Sequence, residues 1–439
     1  MQPETIFYMI VIVAFLFAVM STGTWIAFAL MGTSILALML LGRGNMHHTL
    51  EAVLFNSINS YTLAAMPMFI LMGEILIKSN CSQFLFAGVK KVLGPFPGGM
   101  LHTNIAACSI FSACSGSSTA TTVAIGGVSI PELTKQGYAK NIILGSICAG
   151  GTLGVLIPPS IMMLLYGSLT GNSIGKLFIA GILPGLMLSG LFMLYIAIAC
   201  VFRPEWTPGR QPFGGIKYLK NVLSSFLDVW PVLLLIAGIM VSIYGGFATP
   251  TEAGAVSAIF AFLIWVFIYK TFTPRLLLDA VRDTLVINAQ LLISIIAARS
   301  LGMALSLLHI PNQLSQAITE MDVSRYVIWA LVVVVYILLG ILIDGIDLLI
   351  ITVPVFYPIM VSGLGFDAIW FGVTMTILLE MSLITPPAGF NLLVTHSISG
   401  SKDMMETIKG SFPFVIVMIV ALAILTVFPE IATYLPDRM

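Results

Sequence analysis

The sequence predicts an all-α membrane protein that crosses the bilayer many times. Only 9% of its 439 residues are charged, against roughly 25% in an average soluble protein. Hydrophobic residues make up 59% of the chain, and the mean hydropathy is +1.06. The longest polar stretch, residues 203–221, is too short to form a core of its own. A water-soluble protein and an appended extramembrane domain are therefore excluded, and the function is expected inside the bilayer.

Apolar runs of about 20 residues predict ten full membrane spans. These spans lie near residues 6–20, 22–41, 60–78, 138–170, 177–202, 229–247, 250–269, 284–308, 366–398 and 408–428. Two further apolar stretches, 98–131 and 326–363, are interrupted halfway by polar residues. Irregular backbone at membrane depth is tolerated only where protein or a watery cavity surrounds it. Each of these two stretches is therefore predicted to be a re-entrant hairpin.

Two of the predicted spans contain a second kind of interruption, a pair of prolines. Pro158-Pro159 lies within the span 138–170, and Pro386-Pro387 lies within the span 366–398. Proline has no backbone N–H, so it releases carbonyl groups that a continuous helix would use. Both spans are predicted to be broken helices that unwind at these pairs.

The spacing of these motifs predicts an internal duplication. The two proline pairs lie 228 residues apart, and Ser115 and Asp344, at the tips of the two hairpins, lie 229 residues apart. The predicted repeats are residues 1–228 and 229–439, each with one hairpin and one broken helix. Because a hairpin returns to its own side, each half crosses the membrane five times. An odd number of crossings makes the second half inverted relative to the first.

The distribution of basic residues predicts the orientation. Most Lys and Arg residues fall in loops on one side of the predicted spans, which the positive-inside rule makes cytoplasmic. Both termini then lie outside, the first hairpin enters from the cytoplasm and the second enters from the external face. Three basic segments, 80–92, 211–224 and 271–283, are predicted to be helices on the cytoplasmic surface, or else solvated connectors.

Inverted repeats with interrupted segments at matching positions indicate a secondary transporter with its site near the bilayer midplane. Half-helix N-termini favour anions, and freed carbonyl and hydroxyl oxygens suit a hard cation such as Na+. The five cysteines and five histidines show no metal-site spacing. The sequence therefore predicts an anion transported together with a cation, and no catalytic residue or bound cofactor.

The interruptions supply the candidate ligands. The candidate substrate ligands are the hydroxyl and amide side chains of Ser115, Ser117, Ser118, Ser160 and Asn391. A first candidate cation site consists of Ser112, Ser115 and the carbonyl groups of Gly154, Ile157 and Pro159. Its counterpart in the second half consists of Gly340, Asp344, Ser382, Thr385 and Pro387.

Structural roles are the alternative for these residues. The hydroxyl groups could serve only to hold helices together, and Ser160 and Asn391 could cap restarted helices. Asp344 and Asp347 could bond the backbone of their own hairpin instead of a cation.

Three other ionisable residues are interpreted from their positions. Arg299 and Glu380 lie well inside spans and are expected to pair with each other, or Arg299 to meet a carboxylate substrate. Glu252 follows a turn at the start of a span and is predicted to cap a helix.

These motifs resemble those of the large membrane subunit of tripartite ATP-independent periplasmic (TRAP) transporters, the DctM-like family. The matching segments are Ser115-Gly116-Ser117-Ser118-Thr119-Ala120-Thr121, Leu156-Ile157-Pro158-Pro159-Ser160, Thr249-Pro250-Thr251-Glu252-Ala253 and Asp344-Gly345. The resemblance extends over essentially the whole chain.

The resemblance implies an elevator-type importer of an organic acid anion, such as sialic acid, a C4-dicarboxylate or a sugar acid, driven by Na+. It implies two protein partners, a separate four-helix small membrane subunit and a periplasmic substrate-binding protein, and a place in the bacterial inner membrane. The hairpins and broken helices would form the moving domain, and the other spans would form the scaffold.

Three rival functions are weighed against this interpretation. An intramembrane hydrolase would need a positioned base beside Ser115, and no histidine is suitably placed in the sequence. A channel fits an inverted duplication less well than a carrier does. A Na+/carboxylate symporter that works without a binding protein is the nearest alternative.

Overall fold

Helices make up most of the described part of the chain. The computed structural model describes residues 3–41, 46–208, 215–320, 323–341, 343–387 and 389–439, and no β-strand occurs among them. The start of the predicted surface helix 211–224 lies outside the described residues. The predicted all-α fold is confirmed.

The helices of the first half lead through one hairpin and one broken helix. They are α1 Pro3–Ser21, α2 Ile26–Leu40, α3 Met46–Ile58, α4 Ala65–Lys78, α5 Cys81–Leu93, α6 Met100–Ser115, α7 Ser118–Lys135, α8 Lys140–Leu156, α9 Ile161–Thr170 and α10 Ile174–Phe202. Short 3-10 turns at Tyr61–Ala64 and Pro204–Trp206 accompany them.

The helices of the second half follow the same plan. They are α11 Gly215–Tyr244, α12 Pro250–Leu263, α13 Pro274–Leu307, α14 Ile310–Thr319, α15 Arg325–Gly340, α16 Gly345–Tyr357, α17 Ala368–Leu383, α18 Phe390–Ser399, α19 Met404–Val427 and α20 Glu430–Thr433. The π-helical segments Ile264–Tyr269 and Pro358–Gly363 extend α12 and α16, and a 3-10 turn at Pro436–Arg438 ends the chain.

Within the described residues, eight helical segments are long and apolar enough to cross a membrane. They are Pro3–Ser21, Lys140–Thr170, Ile174–Phe202, Lys220–Tyr244, Pro250–Tyr269, Pro274–Leu307, Gly345–Gly363 and Met404–Val427. The shorter apolar helices α2, α15 and α17 add to them. The chain is therefore a multi-pass membrane protein, as predicted.

Both predicted hairpins are present. In the first, α6 ends at Gly116, which has φ +60°, and Ser117 caps α7. In the second, α15 leads into α16, whose N-cap is Asp344. Both turns occur where polar residues interrupt the apolar sequence, because these residues supply caps that apolar residues cannot.

Both predicted helix breaks are present as well. The first separates α8 from α9 at residues 157–160, and the second separates α17 from α18 at 384–389. The proline pairs occupy these gaps because proline cannot donate the helical hydrogen bond. Helices α8 and α17 lie at the centre of the protein, where every residue from 142 to 156 and from 370 to 383 is buried.

Two of the three predicted surface helices are corrected. Segment 80–92 is indeed a separate helix, α5, but residues 274–283 of the segment 271–283 form the first turns of the 34-residue α13. Likewise, the described part of 211–224 begins the 30-residue α11. Neither junction contains a glycine or proline, so nothing in the backbone stops the helix there. Three helices, α3, α14 and the short α20, were not predicted.

The helix bounds support the predicted duplication. Moving α6, α8, α9 and α10 by 229 residues superposes their ranges on α15, α17, α18 and α19 to within a few residues. The unpredicted α14 lies at the position of α5 in the first half. Residues 228 and 229 both lie within α11, so one continuous helix joins the two proposed repeats.

Candidate functional site

The tip of the first hairpin lies against the first helix break. The Gly116 carbonyl accepts a hydrogen bond from the Ile161 N–H at 3.4 Å. A Cβ atom at Gly116 would lie 2.9 Å from the Pro159 carbonyl oxygen, and its φ is +60°. Only glycine meets both requirements, so this residue lets the two interruptions touch.

The hydroxyl groups of this tip are held within the hairpin. Ser115 Oγ lies 2.8 Å from Thr121 Oγ1, and Ser117 Oγ accepts from the Ala120 N–H at 3.4 Å. Ser112 Oγ donates to the Cys108 carbonyl at 2.5 Å. Ser112 and Ser115 are buried. Their hydroxyl oxygens keep lone pairs with which a cation could be coordinated.

The proline pair determines which carbonyl groups are free at the first break. In a regular helix the carbonyls of Gly154 and Val155 would accept from residues 158 and 159, which are prolines without an N–H. Ser160 Oγ donates to the Val155 carbonyl and accepts from the Met163 N–H at 3.2 Å. The Gly154 carbonyl therefore loses its helical donor. The alternative that Ser160 caps a restarted helix is confirmed.

The second hairpin contacts the end of α17, just before the second break. A Cβ atom at Gly340 would lie 2.2 Å from Ser382 Cβ, so these two candidate ligands are in contact. Ser382 Oγ donates to the Leu379 carbonyl at 2.5 Å, and Thr385 Oγ1 donates to the Met381 carbonyl at 2.6 Å. Pro387 belongs to the second proline pair.

The acidic residues of the second tip have different surroundings. Asp344 is exposed, and its Oδ2 atom accepts from the Ile346 N–H at 3.2 Å. Asp347, in the first turn of α16, is half-buried. The alternative that Asp344 bonds hairpin backbone is therefore present, and its second carboxylate oxygen can still face a cation.

A hydrogen bond between Asn391 and Ser118 joins the two halves directly at the site. Asn391 Nδ2 donates to Ser118 Oγ at 2.6 Å, and Ser118 Oγ donates to the Gly151 carbonyl at 2.9 Å. Asn391 Oδ1 is buried and has no hydrogen-bonding partner among the described residues. An unpaired buried amide oxygen is costly, which makes Asn391 a candidate for binding a proton donor on a ligand.

Arg299 and Glu380 do not pair with each other. Arg299 donates to the Ser168 carbonyl at 2.7 Å and to Ser168 Oγ at 3.0 Å, at the C-terminal end of α9. Glu380 Oε1 accepts from the Val155 N–H at 3.3 Å, beside the first break. Each side chain has a backbone partner more than 100 positions away, which no sequence motif indicated.

The residues interpreted as structural have structural roles. Glu252 forms a capping box with Thr249 at the start of α12, as predicted. The five cysteines are buried and free, as small apolar packing residues are.

The fold and the paired interruptions define a class, a multi-pass membrane carrier built around two hairpins and two broken helices. The sequence matches the family described as "Tripartite ATP-independent periplasmic transporter, DctM component" over residues 13–431, and the chain belongs to this family of large transporter permeases. The resemblance seen in the motifs is confirmed.

Curated relatives agree with this assignment. The chain is 38% identical over 407 residues to the C4-dicarboxylate TRAP transporter large permease protein DctM of Vibrio cholerae, covering 88% of each chain. It is 31% identical to the ectoine TRAP transporter large permease protein TeaC of Halomonas elongata, covering 90% of this chain and 91% of that one. The sialic acid TRAP transporter permease protein SiaT of Haemophilus influenzae is 29% identical, covering 90% of this chain and 63% of that one.

A solved structure has a similar fold. The YdaH transporter of Alcanivorax borkumensis, whose topology is described as unusual, matches with a TM-score of 0.54 over 86% of this chain and 90% of its own. At 14% identity, this similarity concerns the fold alone.

Proposed function

We propose that the chain is the permease subunit of a Na+-driven importer of an organic acid anion. The observation that carries the proposal is that the first hairpin tip contacts the first helix break, the second hairpin contacts the end of α17 just before the second break, and Asn391 and Ser118 join the halves. Such an arrangement brings hydroxyl, carbonyl and carboxylate oxygens together at membrane depth. Placing polar groups there costs free energy, so their presence indicates a functional site.

The oxygen atoms available suit Na+. The first candidate site has the hydroxyls of Ser112 and Ser115 and the Gly154 carbonyl that Pro158 leaves without a donor. The second has Asp344, Ser382 and Thr385. Hard alkali and alkaline-earth cations prefer oxygen ligands of these kinds. Na+ would be a transported ion rather than a resident one, and no covalently bound cofactor is expected.

The organic acid is expected to bind at Ser117, Ser118, Ser160 and Asn391. These groups surround the start of α7 and α9, where half-helix N-termini favour an anion. Membership of the family and the names of the relatives, which include C4-dicarboxylate and sialic acid transporters, support an organic acid substrate.

Transport is proposed to follow an elevator mechanism in a bacterial inner membrane, with both termini periplasmic. Helices α6 to α9 and α15 to α18 would move as one domain against the remaining spans. A small four-helix membrane subunit and a periplasmic substrate-binding protein are the proposed partners, as the tripartite family implies.

The test is uptake of a radiolabelled panel into proteoliposomes that contain this chain and its small subunit. The panel holds C4-dicarboxylates, sialic acid and sugar acids, with ectoine for comparison, each with and without binding protein and an inward Na+ gradient. We expect accumulation of one organic acid only when both are present. Accumulation with Na+ alone would favour the symporter that needs no binding protein, and accumulation without Na+ would overturn the proposed coupling.

A further inference from the structure

Glu380 is a buried carboxylate that is a ligand of neither proposed cation site nor of the substrate. It lies near the end of α17, and its side chain is fully buried. Its Oε1 atom accepts the Val155 N–H at 3.3 Å, and the Leu156 N–H faces the same carboxylate. Its Oε2 atom is buried without a hydrogen-bonding partner in the described part of the chain. Burying a carboxylate in this way is costly, so a role is expected.

Its hydrogen bond is directed at one peptide unit of the first helix break. The Val155 N–H and the Gly154 carbonyl belong to the same peptide, which is trans. In a planar trans peptide these two groups point in opposite directions. The Glu380 carboxylate therefore lies behind the Gly154 carbonyl oxygen, on the far side of the peptide unit.

The Gly154 carbonyl is also the group that the proline pair releases, because Pro158 has no N–H to donate to it. Gly154 faces the first hairpin tip, since a Cβ atom there would lie 2.5 Å from the Ser117 carbonyl oxygen. A hydrogen bond accepted by the Glu380 carboxyl group polarises the peptide and increases the negative charge on its carbonyl oxygen. It also restricts rotation of the peptide at a point where the helix is unwinding.

We propose that Glu380 is a positioning residue for the first cation site, which orients and polarises the Gly154 carbonyl through the Val155 N–H. The inference rests on the proposed function, in which that carbonyl binds Na+. Glu380 does not touch the ion. It acts as outer partners of metal ligands generally do, by fixing the ligand and raising its basicity.

The internal duplication explains why the first site needs this residue. At the offset of 228 that relates the proline pairs, Glu380 corresponds to Thr152, whose hydroxyl group donates to the Ala149 carbonyl of its own helix and offers no carboxyl group. At the hairpin tips, the offset of 229 relates Asp344 to the neutral Ser115. The second half therefore supplies one carboxylate to each site, Asp344 directly and Glu380 through a peptide. Na+ binding at the first site then depends on a helix of the opposite half.

The test compares three variants in the complex of this chain with its small subunit. Glu380→Gln keeps the size and one acceptor oxygen, but it replaces the other oxygen by an NH2 group that cannot accept from the Val155 and Leu156 N–H groups. Pro158→Ala restores an N–H that competes for the Gly154 carbonyl. Thr376→Val is the matched control, because Thr376 is buried one turn earlier in α17 and donates only to the Gly372 carbonyl of its own helix, at 2.9 Å.

Two measurements are made for each variant. The first is the rise of the unfolding temperature with Na+ at constant ionic strength, which reports ion binding without transport. The second is the dependence of uptake on Na+ and on the organic acid. We expect Glu380→Gln to raise the half-saturating Na+ concentration about tenfold in both, with an unchanged half-saturating organic acid concentration at saturating Na+. Pro158→Ala should also weaken Na+ binding, and Thr376→Val should not.

The outcomes separate this inference from the proposed function. If Pro158→Ala weakens Na+ binding and Glu380→Gln does not, the positioning role is wrong and the proposed site stands. If Glu380→Gln alone weakens it, Glu380 acts by another route and the inference is overturned. If the Glu380→Gln complex fails to assemble while the Thr376→Val complex assembles normally, Glu380 has a packing role and the inference is overturned. If the wild-type complex shows no response to Na+, the proposed function itself fails.

Discussion

Single hydroxyl groups at the helix breaks each perform two tasks. Ser160 accepts from the Met163 N–H as the N-cap of α9 and donates to the Val155 carbonyl across the break. Ser118 is bonded both to Asn391 and to the Gly151 carbonyl. Such residues hold unwound backbone in a fixed shape at membrane depth, where unpaired polar groups are costly.

Replacing Ser160 by alanine is therefore expected to affect both stability and transport. Loss of the cap should cost about 1 kcal/mol, and uptake should fall further because the Val155 carbonyl loses its donor beside the candidate site. Thermal unfolding and initial uptake rates measure the two effects.

Ser173→Ala is the control for this prediction. Ser173 caps α10 in the same way, accepting from the Lys176 N–H at 3.4 Å, but lies in an exposed turn. The Ser173→Ala variant should lose stability but keep its normal uptake rate. Equal uptake by the two variants would show that Ser160 is only a cap.

Pairs of helices approach one another through glycine at the centre of the protein. A Cβ atom at Gly410 would lie 2.0 Å from the Asn141 carbonyl oxygen, and one at Gly145 would lie 2.1 Å from the Gly410 carbonyl oxygen. Helices α8 and α19 thus touch backbone to backbone. In membranes the hydrophobic effect does not drive helices together, because lipid is as apolar as the helix surface. Helices associate there mainly by close packing at small residues.

Gly410→Ala is expected to destabilise the protein by about 1–3 kcal/mol, because the added methyl group meets backbone that cannot move alone. The measurement is the unfolding temperature in detergent. Gly190→Ala is the matched control, since a Cβ at Gly190 in α10 would have no heavy atom within 4 Å. A normal unfolding temperature for Gly410→Ala would mean that α8 and α19 do not touch backbone to backbone.

Helix α5 connects the first hairpin to α11 through adjacent lysines. Lys90 pairs with Glu132 in the last turn of α7 at 2.6 Å, and Lys91 pairs with Asp228 of α11 at 2.6 Å. The hydrogen bond from Lys90 holds the pKa of Glu132 below its usual value. All four side chains are partly exposed, so each pair is worth less than about 1 kcal/mol.

The sign of the pH dependence follows from the depressed pKa of Glu132. The Lys90–Glu132 pair stabilises the fold fully above the ordinary glutamate pKa of about 4.3 and loses this contribution as the pH falls through the lower folded value. The stability difference between wild type and Glu132→Gln should therefore be constant from about pH 7 to pH 5 and should shrink as the pH falls below the ordinary glutamate pKa of about 4.3. Unfolding temperatures at several pH values measure it, with Glu205→Gln, an exposed carboxylate elsewhere, as the control. A difference that changes between pH 7 and pH 5 would contradict the assignment.

Inversion of the two halves has a consequence for the whole molecule. Lys176 at the start of α10 and Met405 at the start of α19 occupy equivalent positions, 229 residues apart, and both are exposed. If the halves are inverted, these two residues face opposite sides of the membrane. The proposed orientation places Lys176 outside and Met405 in the cytoplasm.

Single cysteines test this arrangement. In intact cells a membrane-impermeant maleimide should label Lys176→Cys and leave Met405→Cys unlabelled until the membrane is permeabilised. The native chain is the background control, because its five cysteines are buried. Labelling of both variants from the same side would contradict inverted repeats, and labelling of Met405→Cys alone would reverse the orientation.

The sequence by itself determined the all-α multi-pass class, both hairpins and both broken helices. These features depend on local properties, the length of an apolar run and the missing N–H of proline. Pro158 and Ser115 could be identified in this way without any knowledge of their neighbours. The capping role of Glu252 was equally local, since its partner Thr249 lies three residues away.

Only the tertiary structure decided which distant groups meet. Glu380 and Arg299 were expected to pair, or Arg299 to meet a carboxylate substrate, but they bond backbone beside the first break, at Val155, and near the end of α9, at Ser168. The lengths of α11 and α13 were also missed, because composition suggested a surface segment where the backbone continues unbroken. The physical reason is the same in each case. A buried polar group takes the partner that packing brings within hydrogen-bonding distance, and that choice depends on helix faces far apart in the sequence.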